Sequence, residues 1–359
     1  MMTRMHNAAR AMIAAATAAL LVGALLPAVA AAATKPTKFD VVIGDECVSG
    51  VGIDDATLKL VWRDSAGGLK AKVTMSISPS GTWEYCSASE VIQAGDRVKA
   101  TVGSITHLLI IPELTLFQNR VTDIYKGRGP AGQMVRLICG LSNGFEPCVQ
   151  TWRIRVNAEG KWSYKPGWDV LGRDNMYLRW RSEAGDKVNV ISIAPYVTAT
   201  IGKAGFIWAT RPGASATVVI RDPSTLDVRG TATTVGSPLD GSFIGQFRNQ
   251  LGQKVKVRAG DILSSDIAAD LDYVIGDIHA TADTGTQHVT GQCPEEMQFY
   301  VIAYHNGHEI GFERWWTDEG GTFDADFSGE PTAMVPGDRV RVGCQLETGD
   351  WIQKWFAAT

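Results

Sequence analysis

The sequence predicts an all-β protein, a tandem array of four β-sandwich domains behind a cleaved signal peptide. Three observations carry this expectation. Two short landmarks recur together at a period of about 80 residues. The chain between them consists of short alternating or β-branched runs such as TLKLVW, KAKVTMSI, TWRIRV, YLRWR, ATVVIR and RVRVG. Turn signals such as SAGG, NAEG, DPS, HNG and DEGG separate those runs, and no segment after the leader has a helical period.

The leader is residues 1–33. Arg4 and Arg10 form a positive region, Ala11–Leu26 is apolar, and Pro27 precedes the small-residue sites Ala28–Ala30 and Ala31–Ala33. This is the pattern of a secretory signal peptide. The rival reading is an uncleaved anchor, since the apolar run is just long enough to span a bilayer. Pro27 and the alanine-rich tail favour cleavage. Without Arg4 and Arg10 the chain holds 32 basic and 38 acidic residues, net −6. No second apolar stretch approaches a membrane span, so the expected chain is secreted and extracellular.

The first landmark is GTWEYC at Gly81–Cys86, GKWSYK at Gly160–Lys165, GSFIGQ at Gly241–Gln246 and GTFDAD at Gly321–Asp326. Its glycines are 79, 81 and 80 residues apart. The second aligns Gly50, Gly127, Ala209 and Gly291, spaced 77, 82 and 82 apart. Within a repeat the two lie 31, 33, 32 and 30 residues apart. The first-landmark glycine supplies a positive-φ turn into a strand. The aromatic two places on fills the space between two sheets and buries ~150–250 Å². Ligand stacking by Trp83, Trp162, Phe243 and Phe323 is the sharper alternative, but strand context accounts for them without a ligand. A looser marker, AGD at Ala94–Asp96, Ala184–Asp186 and Ala259–Asp261 and PGD at Pro336–Asp338, reads as the turn into a late strand.

These motifs, x-G-x-W-x-Y after V-[ST]-G and followed by A-G-D-x-V-x-V, resemble the bacterial immunoglobulin-like repeats of secreted and cell-surface proteins. The resemblance covers nearly the whole chain after the leader, once per repeat. The third repeat departs from it in having Phe243 and no Cys, and the first lacks the family's proline. The resemblance implies Ig-like sandwiches used as spacer or binding modules, with no shared catalytic residues.

The expected domains are 38–112, 113–194, 195–272 and 273–359. An exported chain with six Cys is expected to pair them. The domain limits favour Cys47–Cys86, Cys139–Cys148 and Cys293–Cys344. The two long loops are worth roughly 4 kcal/mol each and the short one roughly 2.5. The third domain has no bridge and is expected to be the least stable. Short apolar connections at Leu108–Leu116 and Ile191–Ala199 suggest strands that run on without flexible linkers.

Candidate sites concentrate in the last domain. In AYHNGHEIGFERWW, Asn306-Gly307 is a hairpin turn flanked by His305 and His308, which could bind Zn or Cu but lack a third ligand. Trp315 and Trp316 are adjacent on a strand, so one faces the core and the other is free for a sugar or partner. Trp351 and Trp355 share a face if DWIQKWF is a strand. Asp318, Glu319, Asp324 and Asp326 offer oxygen ligands for Ca²⁺ in no EF-hand spacing. A charged edge that discourages aggregation accounts for the same residues. Charge is uneven: the second domain has 12 basic and 8 acidic residues, net +4, and the fourth has 4 and 14, net −10. Arg153 with Arg155 and Arg179 with Arg181 form either a patch for an acidic polysaccharide or a solvated strand face. There is no G-x-S-x-G, HExxH or phosphate-binding loop.

The expected function is therefore a secreted, non-enzymatic binding, adhesion or spacer protein without a required cofactor. Its expected partner is an extracellular or cell-surface protein or polysaccharide, not nucleic acid. A carbohydrate-binding protein using the last domain's tryptophans is the alternative, and an extracellular hydrolase of unknown type comes third.

Overall fold

The computed structural model describes residues 37–139, 150–209, 215–236, 242–266 and 272–359. The expected signal peptide and Cys148 lie outside them. The first repeat holds β1 (Lys38–Val42), β2 (Cys47–Val51), β3 (Thr57–Arg63), β4 (Leu69–Ser76), β5 (Thr82–Cys86), β6 (Arg97–Val102) and β7 (Ile105–Ile110). The second holds β8 (Phe117–Asn119), β9 (Ile124–Arg128), β10 (Met134–Cys139), β11 (Thr151–Arg155), β12 (Lys161–Tyr164), β13 (Asn175–Arg181) and β14 (Lys187–Ile193). The third holds β15 (Tyr196–Thr200), β16 (Gly205–Ala209), β17 (Ser215–Arg221), β18 (Val228–Val235), β19 (Ser242–Gln246), β20 (Ile262–Ser265) and β21 (Tyr273–Val274). The fourth holds β22 (His279–Asp283), β23 (His288–Gln292), β24 (Gln298–His305), β25 (His308–Trp316), β26 (Thr322–Asp326), β27 (Arg339–Gln345) and β28 (Trp351–Ala357). The one helical element among the described residues is a 3-10 turn at Glu319–Gly321.

The same wiring occurs in every repeat. Strands one, two and five form one sheet, and strands four, three, six and seven form the other. The two landmarks are cross-strand partners in this wiring: Gly50 faces Trp83, Gly127 faces Trp162, and Gly291 faces Phe323. All three rings are buried. A Cβ at Gly50 or Gly291 would run into the ring opposite, so the glycine is the seat of the aromatic. The first-landmark glycines take positive φ, 77° at Gly81, 73° at Gly160 and 75° at Gly321. In the third repeat Phe243 pairs with Trp208, and Ala209 pairs with Ser242. The Ala209 alignment is thus one residue late.

The third marker precedes a late strand in every repeat, but not the same strand. Asp96, Asp261 and Asp338 stand directly before β6, β20 and β27. Each accepts the N–H three residues back, from Gln93 (3.0 Å), Arg258 (2.8 Å) and Val335 (2.9 Å). Each also meets a cation or histidine: Lys70, Arg229 and His305. In the second repeat the AGD of Ala184–Asp186 instead joins β13 to β14. The position equivalent to Asp96 is Asp174, which accepts from Leu171 N at 3.0 Å and has no ion pair among the described residues. Burial lifts the Asp174 carboxyl from 3.8 to about 6, only partly opposed by the Leu171 hydrogen bond and Arg120.

Between pH 3.8 and about 6 the folded chain therefore holds a proton at Asp174 that the unfolded chain has lost. Stability falls as pH rises through that window and stays lower above it. Asp174→Asn keeps the acceptor and removes the charge. At pH 7 it is expected to raise stability, by at most about 3 kcal/mol for a two-unit shift, and to change little near pH 4. Melting curves at both pH values check this.

The repeats are welded in pairs. β1 runs parallel to β14, pairing Asp40 with Lys187, and β15 runs parallel to β28, pairing Thr198 with Trp351. Each junction makes a continuous seven-stranded sheet. One hydrophobic core runs from Phe39 to Ala194 and a second from Val197 to Ala358. An aspartate in the last hairpin of each pair caps the pair's first strand. Asp186 Oδ1 accepts from Phe39 N at 3.1 Å, and Asp350 Oδ1 accepts from Val197 N at 2.7 Å. Asp186 also meets His107 and Ser182, both at 2.8 Å. Asp350 instead receives Arg120 from the second repeat through both Nη atoms, at 3.2 and 3.0 Å.

Disulfides join Cys47 to Cys86 and Cys293 to Cys344. The first links directly opposed residues of β2 and β5. The second reaches from the end of β23 to β27, across the interior between the two sheets, with both cysteines buried.

Candidate functional site

Alternation along β24, β27 and β28 separates core from surface. Phe299, Val301, Val340, Val342, Cys344 and Ile352 point inward and are buried. The other face carries Tyr300 and Tyr304 on β24, Arg339, Arg341, Gly343 and Gln345 on β27, and Trp351, Gln353 and Trp355 on β28. β25 adds Phe312 and Arg314, and β15 adds Tyr196, Thr198 and Thr200.

Gly343 organises this face. The Tyr300 ring lies across it, where a Cβ would overlap the ring. From there the Tyr300 hydroxyl donates to Gln353 Oε1 at 2.7 Å, and Gln353 Nε2 donates to Thr200 Oγ1 at 2.6 Å. Burial raises the Tyr300 hydroxyl pKa, partly offset by Arg341 and Arg173. Gly343→Ala is expected to lower stability by about 1–3 kcal/mol through overpacking and to release Tyr300. Unfolding and near-ultraviolet circular dichroism would show both.

Arginines and rings interleave across the face. Arg339 lies 4.2 Å over Trp355, and Arg341 lies 5.5–5.8 Å from Trp355, Tyr304 and Tyr300. Arg173, from the loop before β13, reaches over Tyr196 (5.1 Å) and Trp351 (5.3 Å). The second repeat thus contributes to the face of the fourth. Burial and the neighbouring Arg173 lower the Arg314 pKa. Four side-chain atoms here are buried without a hydrogen-bond partner: Arg341 Nε, Trp351 Nε1, and both Nε2 and Oε1 of Gln345.

Of the four expected tryptophans, Trp355 lies on this face and is half-buried. Trp351 shares it but is only 1 % exposed, so it does not offer the free ring expected of a ligand contact. It lies beneath Arg173 and against Tyr300 at 5.2 Å. Trp316 is half-buried. Trp315 is 73 % exposed although it pairs with core residue Phe299, because β25 is the edge strand.

The polar candidates have other partners. His305 and His308 face each other as expected, but Asp338 and Asn306 hold the two nitrogens of His305, each at 2.9 Å. Asp324 and Asp326 flank His288 at 2.7 and 3.6 Å, which raises the His288 pKa. Asp318 and Glu319 lie in the turn before β26, apart from that pair. Among the described residues, the group of three possible metal ligands is Cys47, Glu84 and Cys86, whose sulfurs form a disulfide. In the second repeat Arg136 pairs across strands with both Arg153 and Arg179, a row of like charges on one exposed sheet face. Sequence reasoning missed Arg136, Arg173, Arg339, Arg341 and Gln345. The run RVRVG could have placed Arg339 and Arg341 on one face.

No protein-family model and no curated protein matches the chain. Solved structures it resembles include the tetra-tandem repeat of the extending region of a large adhesion protein. That match has 12 % identity and a TM-score of 0.18, covering 90 % of this chain and 99 % of that one. A Ca²⁺-stabilised ice-binding adhesin of an Antarctic bacterium matches at 15 % identity and TM-score 0.20, covering 91 % and 99 %. A Salmonella alpha-2-macroglobulin matches at 10 % identity and TM-score 0.17, covering 91 % of this chain and 32 % of that one.

Proposed function

We propose that the protein is an exported, non-catalytic binding protein of the cell surface or extracellular space. Its four sandwiches, over 38–112, 113–194, 195–272 and 273–359, serve as a stiff support for the arginine and aromatic face of the fourth repeat. The observation that carries this reading is the gathering of Arg173, Arg339 and Arg341 over Tyr300, Tyr304, Trp351 and Trp355, in a repeat whose net charge is −10. None of these three arginines has an acidic partner among the described residues. Arginines stacked on rings without an acidic partner suit recognition of an anionic group. The paired sheets and the buried Arg120–Asp350 contact support the spacer half of the reading, because they resist bending between repeats.

The test is binding of the purified chain, with and without Ca²⁺, to an array of extracellular glycans and to insoluble cell-wall polysaccharide. Saturable binding that falls in Trp355→Ala, with an unchanged melting temperature, supports the proposal. A blank result on every glycan removes the glycan-binding reading and leaves the spacer or protein-adhesion reading.

A further inference from the structure

We infer that the ligand of this face is a saccharide bearing carboxylates, held where the second repeat's loop meets the fourth repeat's sheet. The inference rests on the binding reading above and narrows it. The first ground is an imbalance of donors over acceptors. Arg341 Nε, Trp351 Nε1 and Gln345 Nε2 are buried N–H donors without a partner, against the single free acceptor Gln345 Oε1. Each such group costs roughly 1–3 kcal/mol when left unsatisfied, and folded proteins keep few of them. Gln345 and Trp351 are cross-strand partners, Arg341 lies four residues along β27, and this surplus of donors makes the field over the face positive.

The second ground is the state of the cations. Most of the described cations are exposed and make no ion pair, but the half-buried Lys70, Lys187, Arg229 and Lys354 and the buried Arg120 all pair with aspartates. Arg173, Arg339 and Arg341 make none among the described residues, although the fourth repeat carries 14 acidic residues. The acids of this repeat are placed elsewhere: Asp324 and Asp326 at His288, Asp338 at His305, Asp277 at Lys354. A planar guanidinium matches a carboxylate through two parallel hydrogen bonds.

The third ground selects a sugar. Phe312 is 50 % exposed beside Tyr300 and Trp355 is half-buried, which leaves ring surface for pyranose C–H groups to pack against. Open ring surface for the sugar face and guanidiniums for the acid describe an acidic saccharide.

The experiment compares a hexuronate oligosaccharide with the same oligosaccharide after its carboxyl groups are reduced to neutral alcohols, by titration calorimetry on the whole mature chain. The expected result is at least tenfold tighter binding of the acid form, weakening as salt rises. Arg339→Gln, at an exposed position, should reduce that preference severalfold with melting unchanged. Equal binding of both forms would overturn the acidic assignment and leave the binding reading intact. Tight binding of a sulfated or phosphorylated oligosaccharide with no uronate binding would overturn the carboxylate. Binding of neither these nor any arrayed glycan would remove this inference and the glycan-binding reading, and leave the spacer or protein-adhesion reading.

Discussion

Arg120→Ala should be among the most damaging single substitutions in the chain, lowering stability by about 3–5 kcal/mol. Arg120 is 6 % exposed and Asp350 is 0 % exposed at the side chain, and they meet through both guanidinium Nη atoms. Arg120 also donates to the carbonyls of Pro195 (2.9 Å) and Thr348 (2.6 Å). One side chain therefore ties the end of β8 to the junction between the two sandwich pairs and to the last hairpin. Removing it leaves a buried carboxylate whose remaining donors are Val197 N and Thr348 Oγ1. The cost is that of an uncompensated charge, so Arg120→Ala with Asp350→Asn should recover part of it. Because the chain has two cores, one global transition is not assured, and the change is best read locally. Amide exchange at Gly172 and Val197, which bond to Thr348 and Asp350, should accelerate most. A loss below 1 kcal/mol, with exchange unchanged at those two amides, would show that the junction does not depend on this pair.

The repeat was legible because a core forces repetition. A sandwich of this size needs a plug between its sheets, and the plug needs a seat without a side chain. Those two demands appear in sequence as Trp83, Trp162 and Phe323 at a fixed distance from Gly50, Gly127 and Gly291. The seven strands followed from alternation, which reports a face buried against a neighbour. The pairing of repeats was not legible. β1 finds its parallel partner β14 some 150 residues away, and nothing in KFDVV distinguishes an outer strand from one that joins two sheets. The seam aspartates were visible as letters but not as caps. Asp186 shares its AGD with Asp96 and does a different job, while Asp174 does the job of Asp96 without the motif.

The candidate site was half legible for the same reason. Trp351 and Trp355 share a face, as i and i+4 on a strand must. Exposure depends on what lies above that face, and for Trp351 this is Arg173 from another repeat. A sequence window around β28 holds no trace of that arginine. Trp315 shows the converse. Its parity puts it on the core side, yet the sheet ends at β25 and no second sheet covers it. Strand parity gives a direction, and only the fold says whether the direction leads into a core.

Loss of the Cys293–Cys344 bridge should weaken two repeats at once. The bridge spans 51 residues, and by chain entropy a loop of that length is worth about 4 kcal/mol. Both cysteines are buried, so mild reductant should leave this bridge closed while opening Cys47–Cys86, where Cys86 is exposed. The two bridges also differ in what they add. Cys47 and Cys86 are already opposed in an antiparallel ladder, so their bridge duplicates local pairing. Cys344 lies on β27, in the sheet that continues through β28 to β15, β16 and β19 of the third repeat. The third repeat has no cysteine, yet its first sheet shares a ladder with a bridged strand and its core is continuous with that of the fourth. The double substitution Cys293→Ala with Cys344→Ala is therefore expected to lower stability by about 4 kcal/mol. Hydrogen exchange should rise in β15 and β16 together with β24 and β27. Exchange that rises in the fourth repeat alone would mean that the parallel β15–β28 contact transmits little, and that the third repeat stands by itself despite the shared sheet.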